Sequence, residues 1–186
     1  MFINDQIIVK DCDPAIRTKS VNVDFPLSKE DKELIEAMYS YVYNSTIPEI
    51  AEKDDLKPAV GISAIQVGVN KKILSIVLKD EDDEVVENLT LINPRIISHS
   101  VEKAYLKNGE GCLSVPEGHQ GYVPRYARIK VKAFDYFANK EVVIKADDYL
   151  AIVLQHELDH FNGILYYDHI NKENPFHVEK DWIEIE

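Results

Sequence analysis

The longest apolar stretch of the chain lies at residues 148–162, where Tyr149 to Leu154 form an unbroken run. Asp147 or Asp148 precedes this run as a suitable N-cap, and Gly163 follows at the point where a helix can end. The pattern therefore predicts a helix from about 148 to 162. Because its middle is apolar on every side, this helix is expected to be buried.

A second helix is predicted from the N-cap Ser28 to about Tyr43. Its apolar residues recur with helical spacing, so they form one stripe that is expected to face the core. The stripe comprises Leu34, Ile35, Met38, Tyr41 and Val42.

Strand patterns occupy most of the region between these two helices. Strands are predicted at about 72–79 and 88–93, on either side of an acidic turn, and at 95–107 with a bend around His99 and Ser100. Alternation of basic and apolar residues over 128–133, a turn at Asn139, and a further strand at 142–144 predict a hairpin. Strands grouped apart from helices indicate an α+β fold.

Composition restricts the class of protein. A chain of 186 residues with 45% apolar content is expected to form one domain over residues 1–186. Cys12 and Cys112 are far apart, which favours a reducing compartment over a disulfide framework. Since no secretion signal and no apolar run of membrane-spanning length is found, we expect a cytoplasmic protein without membrane contact.

Charge disfavours a nucleic-acid-binding function. The formal net charge is −12, whereas binding to phosphate backbones depends on Lys and Arg. Residues 179–186 are themselves mostly acidic or apolar, so they are poorly suited to docking on RNA. Any contact with the ribosome is therefore expected to be local and transient.

The most specific chemical signal is the sequence QHELDH at residues 155–160. His156 and His160 are one helical turn apart on the same face, so both rings can reach one cation. Glu157 lies about 100° around the helix, where it can contact a water next to that cation without being a ligand. The motif predicts a metal site with its own general base.

A third ligand would distinguish between classes of metalloenzyme. The metzincin pattern requires a third His where this chain has Tyr166, although it keeps Gly163. A thermolysin-like site would use Glu179, but Pro175 interrupts the intervening segment. Cys112, in the short segment EGCLS at 110–114, is the best remaining candidate.

Three segments together resemble the signature motifs of the peptide deformylase family. They are GISAIQ at 61–66, EGCLS at 110–114 and QHELDH at 155–160, and the likeness extends over about residues 5–172. The loop from 114 to 125 and the long middle region resemble the branch typical of Gram-positive bacteria and their wall-less relatives. The chain departs from the family pattern at Ala59 and Ser63, where Gly and Ala are usual.

The resemblance implies mixed, mainly antiparallel sheets wrapped around a central helix that carries the HExxH motif. It implies removal of the formyl group from N-formylmethionyl nascent peptides, with formate as a product. Cys112, His156 and His160 would bind one divalent metal, natively Fe²⁺, for which Zn²⁺, Ni²⁺ or Co²⁺ could substitute. Glu157 would transfer the proton, and the backbone N–H of Leu113 and the amide of Gln66 would stabilise the oxyanion.

The resemblance also assigns residues around this centre. Substrate-binding positions would be Gly61, which would let a peptide backbone come close, and the pocket-lining residues Tyr149, Ile152 and Val153. Arg125 is expected to pair with Glu110 or Asp159 and so to support the metal ligands.

Two other functions are compatible with the motifs. A zinc metallopeptidase with the same HExxH motif would use Glu179 in place of Cys112 as ligand. A structural metal-binding domain without activity would have a closed set of four ligands and no need for Glu157.

Overall fold

A five-stranded antiparallel sheet is the larger of two sheets in the computed structural model, which describes residues 1–186. The order across the sheet is β1-β2-β3-β6-β7, so β1 is an edge strand that pairs only with β2. The strands are β1 (Gly61–Ser63), β2 (Ile73–Lys79), β3 (Val85–His99), β6 (Arg128–Asp135) and β7 (Lys140–Asp147).

A smaller, three-stranded sheet has the order β5-β4-β8. It consists of β4 (Lys103–Leu106), β5 (Arg125–Tyr126) and β8 (Ile183–Ile185). The β4 and β5 strands are antiparallel, whereas β8 runs parallel to β4. The acidic segment near residue 184 is thus part of a sheet, and Lys107 forms ion pairs with Glu184 and Glu186 there.

Three α-helices complete the fold: α1 (Lys29–Ser45), α2 (Pro48–Asp54) and α3 (Asp148–His160). Ser28 caps α1 by accepting a hydrogen bond from the backbone N–H of Asp31. The predicted α1 ended at about Tyr43 and is therefore two residues short.

The two long helices pack on opposite faces of the larger sheet. Successive side chains of β2 point to opposite faces: Ile73 and Val77 join the apolar cluster that contains α1, whereas Leu74 and Ile76 join the cluster that contains α3. Because both faces are covered, β2 is apolar along almost its whole length and nearly all of it is buried. The α3 helix also contacts β4 and β5, so it lies between the two sheets.

The predicted end of α3 is wrong by two residues. The helix ends at His160, and Gly163 follows with φ of +68°, a conformation that favours glycine. A Cβ at Gly163 would collide with the backbone carbonyl of Arg17. The Arg17 side chain donates to the carbonyl of Gly163 and pairs with Asp168, so an N-terminal segment is fixed against the end of the motif helix.

The predicted boundaries within the central strands are also partly wrong. Instead of separate strands at 88–93 and 95–107, β3 runs continuously to His99 and β4 begins at Lys103. Asn93 has φ of +52° and the register with β6 shifts between Ile92 and Arg95, so Pro94 is accommodated at a bulge. The hairpin of β6 and β7 forms as predicted, with Asn139 at φ of +51° in its turn.

The α+β class and the mainly antiparallel pairing that the sequence predicted are confirmed. Among all the helices of the chain, none combines the length and the apolar character needed to span a bilayer.

Candidate active site and metal centre

Cys112, His156 and His160 converge on one point although the thiol and the imidazoles come from distant parts of the chain. Their ligand atoms all lie within 4.8 Å of one another. The two imidazoles are one turn apart on α3, and Cys112 lies in the loop between β4 and β5 with its Sγ 3.4 Å from Nε2 of His160. A thiolate with two imidazole nitrogens suits a borderline transition metal such as Zn²⁺ or Fe²⁺, and does not suit Mg²⁺ or Ca²⁺.

The electrostatics of this group also fit a bound cation. His160 is fully buried, its Nδ1 has no hydrogen-bond partner, and burial lowers the pKa of His160 well below the usual value. It is therefore neutral, which is the form that binds metals. Although burial opposes it, hydrogen bonds and charge from Cys112 and Glu110 raise the pKa of His156, because the site has an excess of negative groups around this ring.

Glu157 lies beside the three ligands without joining them. It is 4% exposed, and its Oε2 accepts a hydrogen bond from the hydroxyl of Ser63 at 2.7 Å. Burial raises the pKa of Glu157, and the charge of His156 and the Ser63 hydrogen bond oppose this effect. A carboxylate with a raised pKa binds protons more readily at neutral pH than an exposed one, as a general base requires.

Glu157 leaves no room for a side chain at Gly61. A Cβ at this position would lie 2.6 Å from Oε1 of Glu157, so any other residue would displace the carboxylate. The expectation from the resemblance was that Gly61 makes room for a peptide backbone. Glu157 occupies only the side of Gly61 that a side chain would fill, so the approach of a peptide backbone along the free edge of β1 stays a prediction.

Gln66 presents the donor end of its amide to the cluster. Its Oε1 accepts a hydrogen bond from the backbone N–H of Ser63 at 2.8 Å, which fixes the orientation of the amide. Its Nε2 therefore points towards Sγ of Cys112 at 3.4 Å and Oγ of Ser114 at 3.3 Å. The backbone N–H of the neighbouring Leu113 donates to no group of the protein, so two donors are available near the cluster.

A buried network of charged side chains holds the Nδ1 side of the His156 ring. Glu110 accepts a hydrogen bond from Nδ1 of His156 at 2.8 Å and two from Arg125, each also at 2.8 Å. Arg125 pairs in addition with Asp159, which contacts His169. Burial alone would raise the pKa of Glu110, but Arg125 and His156 lower it to about 2. Because the Nδ1 proton of His156 is used by Glu110, the other ring nitrogen is left for a cation.

Arg125 was expected to contact Glu110 or Asp159, and the structure places it against both. The contribution of His169 was missed, as was that of Ser63. Only the departure of Ser63 from the family pattern could have drawn attention to it, since its contact with Glu157 spans 94 residues of sequence.

A cavity of about 570 Å³ opens beside these groups. Its wall includes all four residues that the resemblance assigns to substrate binding: Gly61, Tyr149, Ile152 and Val153. Glu157 and Cys112 lie on the same wall, so a bound molecule would reach the base and the thiol together.

The residues required by the other metalloenzyme classes do not reach this cluster. Glu179 has a side chain that is 64% exposed and pairs with His177. Tyr166, at the metzincin position, is buried and its hydroxyl accepts a hydrogen bond from the backbone of His119. Cys12 is exposed. The geometry gives no support to a site built on Glu179.

Comparisons with known proteins agree with this geometry. The profile of the polypeptide deformylase family matches residues 6–176. The chain is 47% identical to peptide deformylase 2 of Bacillus cereus over 174 residues, which cover 94% of each chain. It is also 47% identical to the peptide deformylase of Malacoplasma penetrans, over 96% of this chain and 94% of that one. The crystal structure of peptide deformylase from Ehrlichia chaffeensis superposes with a TM-score of 0.71 and 32% identity, over 93% of this chain and 90% of that one.

Proposed function

The chain belongs to the peptide deformylase family and is a metal-dependent hydrolase that removes the N-formyl group from nascent peptides, and we propose that the cavity beside α3 is where it does so. The single observation that supports this location is the convergence of Cys112, His156 and His160 next to Glu157, with Cys112, His156 and Glu157 lining that cavity.

Cys112, His156 and His160 would hold one divalent ion, natively Fe²⁺, with Zn²⁺, Ni²⁺ or Co²⁺ as substitutes. The donor set of one thiolate and two imidazoles supports this range of metals, and the family resemblance favours iron. When bound, the ion supplies Lewis-acid activation of a water and of the formyl carbonyl.

Glu157 would act as the acid and base of the reaction. Its carboxylate accepts a proton from the water that attacks the formyl carbon, and then delivers that proton to the nitrogen of the departing amine. Formate and a free N-terminal methionine are released. The burial of Glu157, which raises its pKa, supports this role.

Gln66 and Leu113 would stabilise the oxygen that becomes negatively charged during the attack. The side-chain amide of Gln66 is oriented by the backbone of Ser63, and the N–H of Leu113 is free of other partners. Donors fixed before the reaction need no reorganisation when charge develops, which is why such groups contribute strongly to catalysis.

The substrate would bind as an additional strand along β1. This strand is at the edge of the larger sheet, so the backbone groups on its outer side near Gly61 are available to a peptide. Tyr149, Ile152 and Val153 would form the slot for the methionine side chain. Ile152 and Val153 are 1% and 6% exposed, whereas Tyr149 is 37% exposed and would lie at the mouth of the slot.

The metal ligands would be held in position by three charged residues that take no direct part in the reaction: Glu110, Arg125 and Asp159. Glu110 fixes the ring of His156, and Arg125 joins Glu110 to Asp159 on the motif helix. Removing such supporting groups typically weakens metal binding or activity 10- to 100-fold.

The partners would be nascent chains that begin with N-formylmethionine, and the enzyme would act in the cytoplasm, where those chains are made. Contact with the ribosome would be transient. The net charge of −12 and the engagement of residues 183–185 in a sheet argue against RNA binding by residues 179–186.

The decisive experiment is Glu157→Gln with Glu179→Gln as the matched control. We expect the Glu157 variant to keep its metal and to lose at least about a thousandfold in formate release, because an amide cannot accept the proton. The Glu179 variant should keep both metal and activity. Elemental analysis after anaerobic purification would measure the metal and identify it. Near-native formate release by the Glu157 variant would remove this residue from the mechanism, and loss of metal from the Glu179 variant would favour the metallopeptidase alternative.

A further inference from the structure

Ser63 makes two contacts with Glu157 that the family resemblance does not predict. It is fully buried on β1, and its Oγ lies 2.7 Å from Oε2 of Glu157 and 3.0 Å from the backbone carbonyl oxygen of the same residue. These contacts connect the edge strand of the sheet to the motif helix.

Members of the family usually have alanine at this position. An alanine would fill nearly the same space as Ser63 but would lack the hydroxyl. Glu157 is itself 4% exposed, so its Oε2 has little access to water. Without Ser63 this oxygen would have no other hydrogen-bond donor among the residues of the chain, because the hydroxyl is the one group that donates to it. A buried carboxylate oxygen without a donor is unfavourable and free to turn towards other partners.

We propose that Ser63 is a positioning residue for Glu157, and this inference rests on the proposed acid–base role of that glutamate. A hydroxyl has one proton to donate and can also accept. While Glu157 is a carboxylate, the Ser63 hydroxyl donates to Oε2. The same hydroxyl lies 3.0 Å from the backbone carbonyl oxygen of Glu157, so Ser63 contacts both the side chain and the main chain of this residue.

The hydrogen bond to Oε2 therefore holds the carboxylate of Glu157 in one orientation. Gly61 restricts the other oxygen, since the site of its missing Cβ lies 2.6 Å from Oε1. The two residues of β1 thus confine Glu157 from two directions, and reacting groups held in this way need little adjustment during turnover.

The test is Ser63→Ala, with Ser75→Ala as the matched control. Ser75 is also a fully buried serine in the same sheet, on β2 opposite Ile62, but its hydroxyl contacts Thr90 at 3.2 Å and not the active site. With a formyl-Met peptide as substrate, we expect Ser63→Ala to lower kcat about tenfold with KM changed less than about twofold and the metal content unchanged. Ser75→Ala should leave kcat and KM unchanged.

Each other outcome contradicts the inference. A kcat of the Ser63 variant within about twofold of the wild type would show that the hydroxyl does not position Glu157. A fall in kcat accompanied by loss of metal, or matched by an equal fall in the Ser75 variant, would make Ser63 a structural residue only. The Glu157→Gln variant separates the role of Glu157 from that of Ser63. If this variant stays active, the proposed role of Glu157 fails and the Ser63 inference fails with it. An inactive Glu157 variant together with a fully active Ser63 variant contradicts the Ser63 inference alone.

Discussion

Cys112 and Cys12 show how one chemical group takes a different role in a different environment. Cys12 is exposed to solvent, whereas Cys112 is partly buried, 3.4 Å from Nε2 of His160 and 3.4 Å from the amide nitrogen of Gln66. Only the second thiol lies among groups that can share a cation or donate to a thiolate. At the scale of single residues, position in the fold decides which cysteine can be a ligand.

We therefore predict that Cys112→Ser weakens metal binding at least about tenfold, because an alcohol is a much poorer ligand than a thiolate for borderline metals. Cys12→Ser, the matched control, should keep the metal content of the wild type. Competition with a chromogenic chelator would measure both affinities. Equal affinities in the two variants would contradict the assignment of Cys112.

Several site residues could be predicted at this scale and others could not. His156, Glu157 and His160 are close in sequence, and helix geometry alone places them together. Cys112 was reached by eliminating the other candidates for the third ligand, and Gln66 required the resemblance, since nothing local to either residue brings it near α3. The contacts of Ser63 with Glu157 and of His169 with Asp159 depend on how strands and turns pack against the helix, and no spacing rule predicts them.

At the scale of elements, predictions succeeded where a segment carries its own periodic pattern. Both long helices, the strand at 73–79 and the β6–β7 hairpin were predicted near their observed bounds. The short strands β1, β5 and β8 were not predicted, because strands of two or three residues owe their conformation to pairing with a neighbour. The short helix α2 was not predicted either, since seven residues are too few to show a clear helical pattern. The two strands expected on either side of Pro94 are one strand, since a bulge accommodates the proline.

The wall that α3 contributes to the cavity leads to a prediction about substrate selection. Wild-type enzyme should hydrolyse formyl-Met peptides at least about tenfold faster than formyl-Gly peptides, because the methionine side chain buries apolar groups in the slot. Ile152→Trp should fill that slot, raise KM for formyl-Met peptides and leave the metal in place. Steady-state kinetics with the two peptides, with formyl-Gly as the internal control, would measure the change.

The prediction would be contradicted if Ile152→Trp preferred formyl-Met over formyl-Gly peptides as strongly as the wild type does. Ile152 would then lie outside the methionine slot, although it lines the cavity. Hydrolysis of unformylated peptides by the wild-type enzyme at comparable rates would instead indicate a general metallopeptidase.

At the scale of the whole molecule, acidic residues outnumber basic ones, 33 to 21. An ion pair that places a basic side chain against a buried carboxylate therefore matters for stability. Asp31, on the first turn of α1, is 5% exposed and pairs with Lys71, just before β2. Burial alone would raise the pKa of Asp31, but hydrogen bonds from Lys71 and Ser28 outweigh burial and lower that pKa. This pair joins the helix on one face of the sheet to the strand that is covered on both faces.

Asp31→Asn should lower the free energy of unfolding by about 1–2 kcal/mol at pH 7. This loss is smaller than that expected for a fully buried ion pair, because Lys71 is partly exposed and solvent screens the interaction. The folded-state pKa is lowered, so the stabilisation is present above the unfolded-state pKa of about 3.9 and is lost as pH falls through the folded-state value. The difference from wild type should therefore narrow below about pH 4. Urea unfolding at several pH values would measure it.

Asp82→Asn provides a control that changes the net charge equally at an exposed position in the acidic turn. It should leave the free energy of unfolding nearly unchanged at every pH. A constant difference between Asp31→Asn and wild type from pH 7 to pH 3 would contradict the role of the ion pair.

The contact between Arg17 and the turn after α3 has a consequence for the order of folding. Arg17 and Asp168 are 151 residues apart, and the carbonyl of Gly163 also accepts from Arg17. Contacts of such large sequence separation form late, because the loop between them must close before they contribute any stability. The turn that follows His160 can be fixed only after Asp168 has been synthesised and has come into contact with Arg17. A newly made molecule is therefore expected to acquire its long strands and helices first, and its ability to retain a metal ion last.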